Sequence, residues 1–264
     1  NTTGSNNTAL GNSALVSNTT ASYNTAVGYQ AGYSNTTGST LTAFGYKSLY
    51  ANTTGTDNVA MGYNSLVANT TGVQNTAIGH VVLNSNVTGS YNVGVGSQVL
   101  NSNTASNNTA VGYQAGYSNT TGTGNLFLGM QVGYLTTTGS RNTFVSAFNT
   151  GVGSAGSQVT TGSANTIIGA YNGNQGGLNI TTASNYIVLS DGDGNPRQVT
   201  DSSGNFFVNC TSLPAANRTK GFAAKSNSSG GIQVYQVSSN SDWAINVNSG
   251  SICNFYSDNG SALV

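Results

Sequence analysis

The chain has 264 residues, and its six basic and six acidic side chains, 5% of the total, give a formal net charge of zero. Such a surface offers no basic stripe to nucleic acid and no attraction to an anionic membrane, so we predict neither as a partner. No run of about 18 apolar residues is present, which argues against membrane insertion. The repeat pattern is already in progress at Asn1, so we expect a fragment of a longer protein.

Repeats of 17 residues dominate the first part of the chain, with one copy of 16, and looser copies continue to about residue 190. A unit this short cannot bury a face by itself, so neighbouring copies must stack as the coils of a solenoid. The regular copies begin at Asn1, Asn18, Asn35, Asn52, Asn69, Asn86, Asn103 and Asn119.

Each copy places a short strand between a fixed asparagine and a fixed glycine. Both residue types tolerate left-handed backbone angles, so we predict that both form corners of the coil. Leu41 replaces the asparagine once, and Ser146 and Ser190 replace the glycine. The predicted corners are Asn7, Asn24, Asn58, Asn75, Asn92, Asn108 and Asn125, with Gly11, Gly28, Gly45, Gly62, Gly79, Gly96, Gly112 and Gly129.

Helical periodicity is absent from the sequence, and Asn, Thr, Ser and Gly are poor helix formers. We therefore predict an all-β fold in which residues 1–190 form a parallel β-solenoid, with two short strands and two turns in each coil. The segment 191–199 is rich in turn residues, and alternating strands follow it. We predict a second domain at 191–264, a small antiparallel β module.

Two apolar residues stand side by side in each strand, as in Ala77 and Ile78. Because successive strand residues point to opposite faces, one fills the coil and the other builds an outward row that marks an interface. Parallel copies around one axis cover such a row, so we predict a homotrimer, with a wider monomeric solenoid as the alternative. The seam or coil-core residues are Val27, Phe44, Met61, Ile78, Val95, Val111 and Leu128.

His80 is the only histidine and stands where other copies have tyrosines such as Tyr63. We predict that it belongs to a side-chain ladder, because no nucleophile and acid can be paired with it. The tyrosine row could instead stack on sugar rings. We predict no enzymatic activity, no cofactor and no metal site.

Asp191, Asp193 and Asn195 could form an oxygen cluster for Ca²⁺, but a tight turn is the preferred interpretation. Cys210 and Cys253 lie outside the repeats, and we interpret them as small buried residues or as a disulfide. Sequons recur at one corner of each coil, which we expect to be exposed and glycosylated in a glycosylating host. They include Asn18, Asn35, Asn52, Asn69 and Asn119.

The string NTAVGYQAG, at 24–32 and again at 108–116, resembles the head repeat of the trimeric autotransporter adhesins, the YadA-like heads. Similar repeats occur in bacteriophage tail fibres, and the longer copies with Asn-Thr-Thr-Gly corners are closer to those. The resemblance covers about residues 1–190 and implies a trimeric, left-handed parallel β-roll. It also implies attachment to a host receptor, which could be a glycan, at the virion surface.

Two other functions stay open at this point. One is a cell-surface adhesin or extracellular filament, with or without glycans. The other is an ice-binding protein, because flat threonine ladders, such as the one through Thr19 and Thr36, can order water. All of these functions place the protein outside the cell or on a virion.

Overall fold

The computed structural model describes residues 1–147 and 153–208, and beyond them the backbone of four further strands. The described residues contain strands and turns and no helix, which confirms the all-β prediction. In this part of the chain no helix is therefore long and apolar enough to cross a membrane. Both cysteines lie outside the described residues, as does part of the predicted C-terminal module.

A parallel sheet with one three-residue strand per coil runs through the repeats. Its register joins residues 17 apart, as in Thr25 and Thr42, and residues 16 apart at the short copy, Val93 and Thr109. The strands are β1 Thr8–Leu10, β2 Thr25–Val27, β3 Thr42–Phe44, β4 Val59–Met61, β5 Thr76–Ile78, β6 Val93–Val95, β7 Thr109–Val111, β8 Leu126–Leu128, β9 Thr143–Val145 and β10 Thr166–Ile168. The predicted parallel solenoid and its period are confirmed.

The prediction of two strands in each coil is wrong. In the coils between β1 and β9, the residues outside the strand form turns, and these turns also join successive coils through backbone hydrogen bonds. The amide of Leu49, for example, donates to the carbonyl oxygen of Ser65 over 3.0 Å. Both sides of the coil are thus held to the next coil, although only one side is a regular strand.

The solenoid sheet passes directly into antiparallel strands. β11 Asn174–Gln175 and β12 Leu178–Asn179 form a small hairpin, and β13 Ile187–Ser190 pairs in parallel with β10. Antiparallel pairing then links β13 to β14 Pro196–Thr200, β15 Phe206–Val208, β16 Gly221–Ser226 and β17 Ile232–Val237, while β18 Phe255–Tyr256 pairs with β19 Ala262–Leu263. One sheet contains β1 to β10 and β13 to β17, so strand pairing continues past residue 190.

The interior of the coil is filled from two walls. The middle residue of each strand points inward, and in the early coils it is an alanine such as Ala60, faced by leucines such as Leu66. At β8 the inward residue is Phe127, and the opposite wall carries Gly116 and Gly133. A Cβ atom on either glycine would lie 2.6 or 2.5 Å from the Phe127 ring, so a large residue on one wall faces small residues on the other.

The glycine after each strand forms the predicted corner. At Gly45 the backbone φ is 131°, and a Cβ atom there would lie 2.4 Å from the carbonyl oxygen of Gly62 in the next coil. All eight predicted glycines have φ between 127° and 137°. Ser146 and Ser190 replace the glycine where the regular coil ends. Ser146 precedes a coil in which paired residues are 23 apart, and Ser190 precedes the β13–β14 hairpin.

The asparagines at these corners act through their side chains. In their coils the left-handed residue is the one before the asparagine, such as Asp57 with φ 59°. The side chain of Asn58 instead accepts a hydrogen bond from the amide of Asn75 over 2.9 Å and donates to the carbonyl of Gly72 over 2.7 Å. Asn7 is half-buried and the other six are buried, each in contact with a neighbouring coil.

Candidate interaction surface

The third residue of each strand points away from the coil. Phe44 is 52% exposed, while its neighbour Ala43 is 1% exposed. The strand register places the seven predicted seam residues in one row, in which each residue pairs with its equivalent in the next coil. Phe44, Met61, Ile78 and Leu128 are exposed and Val27, Val95 and Val111 are half-buried, so the coil-core alternative is wrong for all seven and the outward position is confirmed.

The first residue of each strand shares this outer face. It is a threonine in most coils, and Val59, Val93 and Leu126 replace it in three. None of the strands β1 to β10 carries a charged residue. The face is therefore two side chains wide, apolar along its third-position row, and free of charge, which are properties of surfaces that bind another protein.

A stacked aromatic row lies just beyond the corner glycines. Ring centroids are 5.3 Å apart for Tyr29 and Tyr46, 5.1 Å for Tyr46 and Tyr63, and 5.3 Å for Tyr63 and His80. The predicted place of His80 in a ladder is confirmed. Because each inner ring has neighbours on both faces, Tyr46 and Tyr63 offer only their edges to solvent. Stacking of sugar rings on these faces is therefore blocked within the row.

The sequon asparagines lie inside the coil. The Asn52 side-chain amide donates to the Asn35 side-chain oxygen over 2.9 Å and to the Gly55 carbonyl over 3.0 Å. The same contacts repeat along a buried ladder that contains Asn18, Asn35, Asn52, Asn69 and Asn119. The expected exposure of these side chains is wrong, because the nitrogen that would carry a glycan is buried and bonded in the folded coil.

The asparagine ladder ends at Asn119, and this end allows a stability prediction. The Asn119 side-chain oxygen is buried without a partner, and the next coil has Thr136, whose hydroxyl donates to the Val159 carbonyl over 3.1 Å. Thr136→Asn supplies the missing donor, so we expect the free energy of unfolding to rise by about 1 kcal/mol, measured by thermal or urea unfolding. Thr136→Val is the control and should be less stable than the wild type; destabilisation by asparagine as well would contradict the prediction.

Asp191 caps the β13–β14 hairpin. Its carboxylate accepts hydrogen bonds from the amides of Asp193 and Asn195, over 3.0 and 2.9 Å, and from the Arg197 guanidinium. The Asn195 amide and, to a lesser degree, Arg197 lower the pKa of this carboxyl. Asp201 repeats the arrangement in the next hairpin. The predicted tight turn is present, and the Asp191 carboxylate caps it.

Comparison with known proteins finds no family model, no curated protein and no solved structure that matches this chain. The interpretation of the outer face thus depends on the chain's own geometry. The resemblance to adhesin head repeats depends on the two NTAVGYQAG strings and on the coil period.

Proposed function

We propose that this chain forms the rigid shaft of a homotrimeric attachment fibre. The fibre would be a bacteriophage or virus tail fibre that binds a receptor on the host surface. The observation that carries the proposal is the continuous outward row from Val27 to Leu128, which stays in register along a parallel sheet. A protein that holds a receptor-binding tip away from a particle needs stiffness along one axis, and it needs no catalytic group.

The stiffness comes from hydrogen bonds that repeat in every coil. Strand pairing, turn amides and buried asparagine side chains each join one coil to the next. Coils in such a stack are about 4.8 Å apart, the separation of hydrogen-bonded strands. Bending the rod would stretch several of these bonds at once, so the arrangement suits a shaft.

The outer row supports association of parallel copies. Burial of one large apolar side chain contributes roughly 1.5–3 kcal/mol, and four of the seven side chains in the row are exposed in the single chain. Because the row continues from coil to coil in register, a parallel copy can contact it in successive coils, and closure around a shared axis leaves no row uncovered. Three chains are the number that the head-repeat resemblance implies.

Ice binding and a cell-surface adhesin are the two alternatives to the tail fibre, and the structure bears on them differently. Ice binding through the first threonine ladder loses support, because the hydroxyls of Thr19, Thr36 and Thr53 donate to carbonyls of the next coil over 3.0 to 3.1 Å. A cell-surface adhesin or extracellular filament uses the same rod. A neighbouring baseplate or chaperone gene would support the tail fibre, whereas a gene or segment for a membrane anchor would support the adhesin.

The mass of the assembly in solution tests the trimer. We expect sedimentation equilibrium to give three chains for the wild type and fewer for Ile78→Arg, because an arginine would place an unpaired charge in the covered row. Gln74→Arg is the matched control in the same coil, since Arg141 occupies the equivalent exposed corner. A monomeric wild type, or equal behaviour of the two variants, would overturn the proposed seam.

A further inference from the structure

Copies of the repeat agree wherever the fold needs a particular side chain, and they differ elsewhere. The asparagine at Asn52 recurs because it belongs to the buried ladder. The threonine at Thr53 recurs because its hydroxyl donates to the Thr70 carbonyl. The exposed residue before each asparagine corner varies freely: it is tyrosine, threonine, aspartate, glutamine or arginine in different coils. A constant residue with no role in the coil therefore needs an explanation outside the coil.

One constant position has no such role. The second threonine of the Asn-Thr-Thr motif is exposed in every coil that has it, and within the described residues its hydroxyl has no hydrogen-bond partner in the chain. We call this set the threonine row. It consists of Thr3, Thr20, Thr37, Thr54, Thr71, Thr88, Thr121, Thr138, Thr161 and Thr182. The coil that begins at Asn103 lacks the position, because its missing residue falls there.

The sequon does not explain the threonine row. The coils that begin at Thr136, Val159 and Ile180 have lost the asparagine, yet they keep the second threonine. The coil at Asn103 shows the reverse, with the asparagine kept and the row residue absent. The two residues thus vary independently, and the asparagine is accounted for by the ladder.

We propose that the threonine row carries O-linked sugars, with one acceptor in each coil. The row hydroxyl is exposed, whereas the hydroxyl of the preceding threonine, such as Thr36, is engaged with the next coil. In most coils a glycine follows, such as Gly38, so no side chain stands beside the acceptor on that side. The row lies outside the strands, so sugars there leave the apolar face open for association.

The chemistry requires a glycosyltransferase and a nucleoside-diphosphate sugar, both from the cell that makes the protein. The threonine oxygen attacks the anomeric carbon of the donor and forms the new C–O bond. The bond from that carbon to the diphosphate breaks, the nucleoside diphosphate leaves, and the hydroxyl proton passes to a base of the transferase. No redox change occurs. The sugars would hydrate a rod of which only 5% of residues are charged.

Mass spectrometry of the full chain, purified as the assembled fibre from the cells that make it, tests the proposal. We expect increments of one or more sugar residues, and electron-transfer fragmentation should place them on Thr37, Thr54 and Thr71. The preceding threonines, Thr36 and Thr53, should be unmodified. An unmodified chain mass, or sugars confined to asparagines or to the preceding threonines, would overturn the proposal.

Two adjacent substitutions provide the matched comparison, with the variants made in the same cells. Thr54→Val should remove one sugar and leave the melting temperature of the rod nearly unchanged. Thr53→Val should keep the sugar on Thr54 and lower the melting temperature. If the chain mass is unmodified and Thr54→Val instead abolishes binding to ice or to a polysaccharide, the row is a ligand surface and not a modified one. A trimeric but unmodified rod would refute this inference and leave the proposed function standing.

Discussion

The substitution Gly62→Ala is expected to lower the free energy of unfolding of the rod by about 3–5 kcal/mol. The φ of Gly62 is 131°, which a residue with a side chain rarely adopts. A Cβ atom there would also lie 2.2 Å from the carbonyl oxygen of Gly79 in the next coil. The coil must therefore change its corner or move away from its neighbour. Urea unfolding measures the total loss, and hydrogen exchange of the Gly79 amide reports the local opening.

Gly124 provides the control for this substitution. Its φ is 68°, and the only atom near an added Cβ is the Arg141 Cγ at 3.7 Å. Asn107 occupies the equivalent position in the preceding coil with φ 64°. Gly124→Asn should therefore change the free energy of unfolding by no more than about 0.5 kcal/mol. Losses of similar size in the two variants would show that the corner geometry is not what selects glycine at Gly62.

The glycine corners could be predicted because their cause is local. A glycine that recurs at one place in a repeat marks a backbone angle or a close approach that excludes a side chain, and Gly62 has both. The period was equally visible, since stacking of coils requires equivalent residues to be in register. These two features define the solenoid without knowledge of any contact.

The role of the asparagines could not be predicted in the same way. Asn58 bonds to Gly72 and Asn75, which lie in the next coil, so its partners become visible only when the coils are stacked. The sequon prediction was wrong for the same reason. The sequence at Asn52 predicts an exposed glycan acceptor, but the Asn52 side-chain amide belongs to the interior ladder. Low-complexity repeats make such motifs frequent without giving them a function.

The outward row was predicted as one of two alternatives, because alternation alone does not say which of two neighbouring apolar residues faces inward. Side-chain size decides it. The coil interior between the strand and the leucine wall accepts Ala77 beside Leu83, and the larger Ile78 is left outside. At β8 the inward residue is Phe127, which lies between the wall glycines Gly116 and Gly133, whereas the wall glycine Gly32 lies beside the small inward residue Ala26. In the coils with a leucine wall, side-chain size therefore indicates which of the two residues faces inward.

The packing between the two walls of the coil predicts a second large loss of stability, at Phe127. Phe127→Ala should destabilise the rod by about 3–5 kcal/mol, because the ring is fully buried and its removal leaves a cavity between Gly116 and Gly133. Gly116→Leu should also destabilise it, since a Cβ atom at Gly116 would lie 2.6 Å from the Phe127 ring. Urea unfolding of each variant measures both losses.

The double variant Phe127→Ala/Gly116→Leu should recover part of these losses. It recreates the alanine and leucine pairing of the earlier coils, and Leu100, the preceding wall residue, already adopts a left-handed φ of 47°, so leucine is compatible with this backbone. We expect a favourable coupling energy of at least about 1 kcal/mol in the double-mutant cycle. Leu66→Ala, in a coil that has no phenylalanine, should show no coupling to Phe127→Ala. Additive losses in the Phe127 and Gly116 cycle would mean that the two walls of the coil do not share one packed space.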